Sequence, residues 1–189
     1  MSKLEIVVAS TRPGRIGLPV GQWVAREAQA HGGFAEVELV DLAEVNLPFF
    51  NEPKHPRLGE YEHQHTKDWS AKVAEADAFV FVLPEYNYGF NAELKNALDY
   101  LHQEWLYKAV GLVSYGGVAA GTRAAQMLKQ VLSAFRMSVV AEAVSIPFVQ
   151  QFLADGTIEP NDVMTTSAKA MFDELARVTT TLAPLRTGD

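Results

Sequence analysis

Residues 84–100 read PEYNYGFNAELKNALDY and follow directly on the apolar run AFVFVL at 78–83. A short unbroken apolar run rich in β-branched and aromatic side chains fits a strand covered on both faces, as at the centre of a parallel sheet. After Pro84 the pattern changes: a turn of aromatic and amide side chains leads into Leu94, Ala97, Leu98 and Leu101, which share one helix stripe. Asn91 stands where an N-cap belongs. Strand, turn and helix join without a linker, and turns at the carboxyl ends of parallel strands are where open α/β sheets receive ligands. Tyr86 and Tyr88 offer π surface there, while Asn87 and the backbone around Gly89 offer donors and acceptors to the polar edge of a flat ring. Tyr88 alone suits a subunit interface nearly as well. Glu85 is placed either to accept a backbone or ligand N–H or to hold the turn.

The same unit recurs on both sides. Leu4–Ala9 (LEIVVA) reads as a first, central strand, the loop STRPGRIG at 10–17 breaks it, and Ile16, Val20, Trp23 and Val24 then follow helical spacing. Residues Ala35–Leu42 alternate, setting Glu36 and Glu38 against Val37 and Leu39, which predicts an edge strand with one wet face. Pro48, Pro53 and Pro56 mark Asn46–Glu62 as a long surface loop, of the kind that often covers a site, before a helix holding Trp69 and Val73. Ala109–Tyr115 is a fourth buried strand, followed by Gly116-Gly117 and a helix whose inner face is Leu128, Val131, Leu132 and Phe135. Ser138–Ile146 is a fifth, with Glu142 and Pro147 pointing to a bulge or an edge. A turn at Asp155-Gly156 precedes a last helix over Val163–Leu182, and the tail Ala183–Asp189 is expected to fray.

Strands alternating with helices in this way predict a single doubly wound α/β domain spanning residues 1–189, with right-handed crossovers. The amphipathic second strand and the apolar first, third and fourth suit a five-stranded parallel sheet of order 2-1-3-4-5, the flavodoxin-like three-layer sandwich. That order gathers the loops after strands one, three and four on one rim.

Composition narrows the ligand. A net charge of -7 and a pI near 5.2 provide no basic stripe for nucleic-acid phosphates or an anionic membrane, so small molecules and other protein chains are the expected partners. Cysteine is absent, which removes thiol nucleophiles and thiolate metal sites. Met1-Ser2-Lys3 runs straight into the first strand with no apolar signal core, so a cytoplasmic protein is the default expectation. His63 and His65, with His55 nearby, are expected to point apart on a helix and bind no metal. His102 and Arg123 lie on amphipathic helices and suit solvent, a subunit contact or a cofactor phosphate.

The opening loop carries the clearest chemistry. Ser10, Thr11, Arg12 and Arg15 supply two hydroxyls and two guanidiniums beside the free N–H groups of a helix start at Ile16-Gly17, a combination suited to a phosphate monoester. Gly14, Gly17 and Gly21 do not have dinucleotide-fingerprint spacing, and no Gly-Lys-Ser/Thr ending is present, although Asp41 keeps a ribose-binding role open. In the third loop, Ser114-Tyr115-Gly116-Gly117, the glycines let backbone approach a ligand closely.

The segments ASTRPGRIG, PEYNYGFNAELKNALDYL and SYGGVAAGTRAAQMLKQVL resemble the signature segments of the NADPH-dependent FMN reductase family, which includes quinone, azo-dye and chromate reductases. The resemblance implies that Ser10, Arg12, Arg15, Ile16 and Gly17 surround the FMN phosphate. It also implies that Pro84, Glu85, Tyr86 and Asn87, with Ser114, Gly116 and Gly117, border the isoalloxazine. It further implies hydride transfer from NADPH (or NADH) to the flavin and onward to a small-molecule acceptor: a quinone, azo compound, metal oxyanion or free flavin. No catalytic side chain is required, because the flavin carries the chemistry. A homodimer or homotetramer is implied too, with the helix beginning near Asn91 at the interface. Asn91-Ala92 and Ala120 depart from the usual glycine-containing pattern. A flavodoxin-like FMN-binding electron carrier without NAD(P)H turnover is the alternative from another class, and an NAD-binding dehydrogenase a lesser one.

Overall fold

The computed structural model describes residues 2–187. Strands β1 (Lys3–Val8), β2 (Glu36–Asp41), β3 (Ala78–Pro84), β4 (Ala109–Tyr115) and β5 (Ser138–Ile146) form a parallel sheet in the order β2-β1-β3-β4-β5. This is the flavodoxin-like order, and the strand alternation shows what drives it. In β3, Ala78, Val80 and Val82 face one core together with Val20, Trp23 and Val24 of α1 (Gly17–His31) and Met171, Phe172 and Leu175 of α6 (Asp162–Thr187). Phe79, Phe81 and Leu83 face the other, against Trp69 and Val73 of α3 (Gln64–Glu75), Leu94 and Leu98 of α4 (Ala92–Asp99) and Leu128 and Leu132 of α5 (Thr122–Ser133). Each Val, Leu, Phe or Met among these taken fully out of water stabilises the sandwich by about 1.5–3 kcal/mol before the entropy cost is counted.

β5 is both an edge and bulged: Val110 pairs with Val139 but Leu112 pairs with Ala143, so one residue of β4 faces three of β5. After β2, Asp41 accepts the Ala43 N–H at 3.0 Å and caps the short helix α2 (Leu42–Val45). The long loop that follows is fastened to α4. Asn96 donates to the Pro48 carbonyl at 2.7 Å and accepts from the Phe50 N–H at 2.9 Å, and the Tyr100 hydroxyl reaches Asn51 Oδ1 at 3.0 Å.

Three local expectations require correction. Asn91 occupies the N-cap position of α4, but its side chain does not cap; Nδ2 instead donates to the Ala9 carbonyl and to Glu93, both at 2.7 Å, tying the third strand's turn to the end of β1. His63 lies just before α3 in extended backbone, so its ring folds back and stacks on His65 at 5.1 Å and 12° instead of pointing away. The turn expected at Asp155-Gly156 is present, closing a small hairpin of β6 (Leu153–Ala154) and β7 (Thr157–Ile158), and the positive φ of both turn residues is the type I′ geometry that Asp-Gly favours. Finally, α6 continues through 183–187 despite Pro184, because Arg186 bonds Asp77 at 3.1 Å and reaches the Thr179 carbonyl at 3.4 Å. The last two residues of the expected frayed tail lie outside the described residues.

Candidate functional site

The carboxyl ends of β1, β3 and β4 bring Ser10, Pro84 and Tyr115 side by side, since Val8 pairs with Val82 and Pro84 with Tyr115. Above them lies a cavity of about 360 Å³ lined by nine of the twelve residues the sequence singles out: Ser10, Arg12, Arg15, Ile16, Pro84, Glu85, Tyr86, Gly116 and Gly117. A larger cavity of about 490 Å³ adjoins it on the far side of Thr11, between α2 and α4, but no guanidinium or glycine loop opens into that one.

At the opening loop, α1 starts at Gly17 with no acidic residue in its first turn, so the positive end of its dipole is not neutralised within the helix. The Gly17 and Leu18 N–H groups precede the first intrahelical bond, from Val20 to Ile16, and Pro19 supplies none. Arg12 is exposed and has no ion pair among the described residues, whereas Arg15 is half-buried and paired with Asp41. Arg15 Nε remains buried without a hydrogen-bond partner. Asp41, considered above for a ribose-binding role, here caps α2 and pairs with Arg15. Ser10 and Tyr86 share a 2.8 Å hydrogen bond that joins the first loop to the second.

The second loop is a tight hairpin turn. The Tyr86 N–H donates to the Gly89 carbonyl at 2.9 Å, the Gly89 N–H donates back at 3.0 Å, and Asn87 and Tyr88 both carry positive φ, 50° and 73°. Asn87 is exposed at its tip and does not line the cavity. Glu85 accepts a backbone N–H and holds the turn: its carboxylate accepts from Arg123 Nε at 2.6 Å and from the Arg123 backbone N–H at 3.2 Å, capping α5. The Arg123 guanidinium also lies over the Tyr88 ring at 3.9 Å.

In the third loop, Ser114 sits behind the cavity wall, with its hydroxyl donating to the Ala120 carbonyl at 2.9 Å. Gly121 makes this turn possible: at φ 77°, a Cβ there would lie 2.7 Å from the Tyr115 nitrogen. The carbonyls of the two glycines ahead of it anchor a segment the sequence reading missed, Gly117 also accepting the Ala120 N–H at 3.0 Å. Phe148 N–H donates to Gly117 at 3.1 Å and Val149 N–H to Gly116 at 3.2 Å, so Phe148–Gln151 complete the wall, with Gln150 and Gln151 also lining the cavity. In a parallel sheet the loop after the fifth strand reaches the same rim as the others, and that was the available signal. Tyr115, also missed, lines the cavity with a buried hydroxyl that has no partner of normal geometry.

Two orphaned donors, a helix start free of acid, an unpaired guanidinium and open space at the Gly117 Cβ position fit a flat ring carrying a phosphate tail. Comparison with known proteins agrees. An NAD(P)H-dependent FMN reductase of Schizosaccharomyces pombe is 37% identical over 160 residues, covering 84% of this chain and 79% of that protein. One from Nectria sp is 33% identical over 153 residues, covering 78% and 76%. Among solved structures, the flavoenzyme NAD(P)H:(acceptor) oxidoreductase FerB from Paracoccus denitrificans superposes with a TM-score of 0.74 at 18% identity, covering 96% of this chain and 98% of that one, which speaks for the shared fold. Residues 2–151 match the description "NADPH-dependent FMN reductase", and the chain belongs to that family.

Proposed function

We propose that the protein is an FMN-dependent NAD(P)H oxidoreductase acting on a quinone, azo compound, metal oxyanion or flavin, its 189 residues working as one FMN-binding domain. The observation that carries this reading is the convergence of the three loops on one cavity, with a cationic, acid-free helix start at one end and a glycine wall at the other. When bound, FMN supplies the redox chemistry, accepting a hydride from NAD(P)H and passing the reducing equivalents to the acceptor.

The chain's own residues bind and orient. Arg12 and the first N–H groups of α1 hold the phosphate, with Arg15 Nε as a further donor. Pro84, Tyr86, Gly116 and Gly117 border the ring, and Ser10 links ring and tail sites through Tyr86. Glu85 and Arg123 hold the Tyr86–Gly89 turn in place, while Asn87, at its tip, is left for the ring's outer edge or an incoming substrate. Ser114 acts from behind by bonding the Ala120 carbonyl, and Gly17, whose N–H is among those at the start of α1, leaves room beneath it for the Tyr115 hydroxyl. No side chain need act as acid, base or nucleophile.

Pairing into a homodimer or homotetramer is supported by exposed apolar groups around the turn. Tyr88 is 69% exposed and Met127 49%, and Met127 Sδ lies 3.3 Å from where a Gly89 Cβ would be. Sedimentation as a monomer at micromolar concentration would contradict it. A cytoplasmic setting goes with the proposed use of NAD(P)H; no helix among the described residues is long and apolar enough to cross a membrane. Steady-state NADPH oxidation with menadione as acceptor tests the activity: turnover that depends on added FMN is expected. Bound flavin without turnover would instead make the protein an electron carrier.

A further inference from the structure

Tyr115, the last residue of β4, is only 6% exposed, and its hydroxyl has no hydrogen-bond partner of normal geometry. Buried phenol hydroxyls ordinarily find one, because an unmet buried donor is costly. Its place is specific. A Cβ on Gly17 would lie 2.5 Å from Tyr115 Oη, so the hydroxyl reaches the first residue of α1 from beneath, where only glycine leaves it room. The hydroxyl of Ser10 nearby is already engaged with Tyr86 at 2.8 Å. Burial, and then the neighbouring Tyr86, push the phenol above its ordinary range against the pull of Ser10, Arg12 and Arg15, so it stays protonated and able to donate.

We propose that Tyr115 Oη donates a hydrogen bond to the phosphate of the bound mononucleotide, and thereby selects phosphorylated over unphosphorylated flavin. This rests on the reading that the opening loop holds the FMN phosphate. The group converges with the N-terminus of α1 and the two arginines on one cavity wall. It requires no bond to be broken before the ligand arrives, and so is organised in advance for an acceptor. Its aromatic body belongs to the core cluster that also holds Val113, Ile146 and Val149, while the residue lines the cavity and its buried hydroxyl lacks a partner.

Tyr115→Phe removes that hydroxyl and keeps the ring. Flavin-free protein is titrated with FMN and with riboflavin by fluorescence quenching, and the thermal midpoint is measured without flavin. The expected result is an FMN Kd raised about tenfold or more, roughly 1.4 kcal/mol, a riboflavin Kd changed by less than about twofold, and a flavin-free midpoint equal to or above wild type. An unchanged FMN Kd overturns the proposal. Equal weakening of both flavins also overturns it, by placing the hydroxyl on the ring or sugar chain, as does a collapse of the flavin-free midpoint, which would make the hydroxyl structural. Arg12→Ala, measured alongside, separates the two levels. If it weakens FMN and Tyr115→Phe does not, only this inference fails; if neither weakens FMN, the phosphate loop itself is misassigned.

Discussion

Glu5 sits in β1 at the end of the sheet away from the cavity, 0% exposed, with neither carboxylate oxygen hydrogen-bonded. Burial, reinforced by the charge of Glu38, raises its pKa from 4.5 to about 7. The same burial lowers the pKa of nearby Lys108, whose ammonium donates to the Val73 carbonyl at 2.6 Å, from 10.5 to about 8. Glu5, Glu38 and Glu75 bring their oxygens within 4.8 Å of one another, but Lys3 Nζ bridges Glu36, Glu38 and Glu75 and Lys72 Nζ bonds Glu38, so ammonium groups already serve as the cations there. The sign of the linkage is definite. Between pH 4.5 and 7 the folded protein holds a proton on Glu5 that the unfolded chain has released, so this residue's contribution is present below that range and is lost as pH rises through 7. Glu5→Gln should therefore gain stability over wild type at pH 8 relative to pH 5, by on the order of 2–3 kcal/mol. Denaturant unfolding of both proteins at the two pH values checks this, and an equal difference at both would refute the buried, unpaired carboxyl.

The elements show which features a linear pattern reports. The apolar runs at 4–9, 78–83 and 109–115 announce central strands because burial on both faces is a local property of composition. The alternation around Glu36 and Glu38 announces the edge. The partner of a polar side chain is not local. Asn91 has the residue type and position of a cap, yet a carbonyl 82 positions away claims its amide. His63 and His65 meet because the helix begins one residue after His63. The opening loop has the same lesson for function: sequence ranks Arg12 and Arg15 alike, whereas the fold gives Arg15 to Asp41, whose side chain is 6% exposed. Arg12→Ala should accordingly weaken FMN binding with a stability change under about 0.5 kcal/mol, as for a surface position. Arg15→Ala should also destabilise the flavin-free protein, by about 2–4 kcal/mol, because it leaves Asp41 buried and unpaired. Flavin titration together with chemical denaturation separates the two, and equal stability of both variants would count against the Arg15–Asp41 pair.

On the scale of the whole molecule, the parallel sheet collects its carboxyl ends on one rim, and the loops there assemble a cavity from residues more than a hundred positions apart, from Ser10 to Gln151. The core behind the rim is filled by large side chains, with Trp23 of α1, Phe79 and Phe81 of β3 and Trp105 fully buried. A ligand held only by the folded protein stabilises it by mass action, about 2.7 kcal/mol at a hundredfold excess over Kd. A single open site used in turn by NAD(P)H and acceptor also implies ping-pong kinetics. Both consequences depend on FMN occupying the rim with its phosphate at α1. The direct test is an absorbance spectrum of the protein after FMN addition and desalting, followed by anaerobic NADPH. Retained flavin absorbance that bleaches on NADPH addition is the predicted result; a desalted protein carrying no flavin, or carrying flavin that NADPH leaves oxidised, would contradict the account.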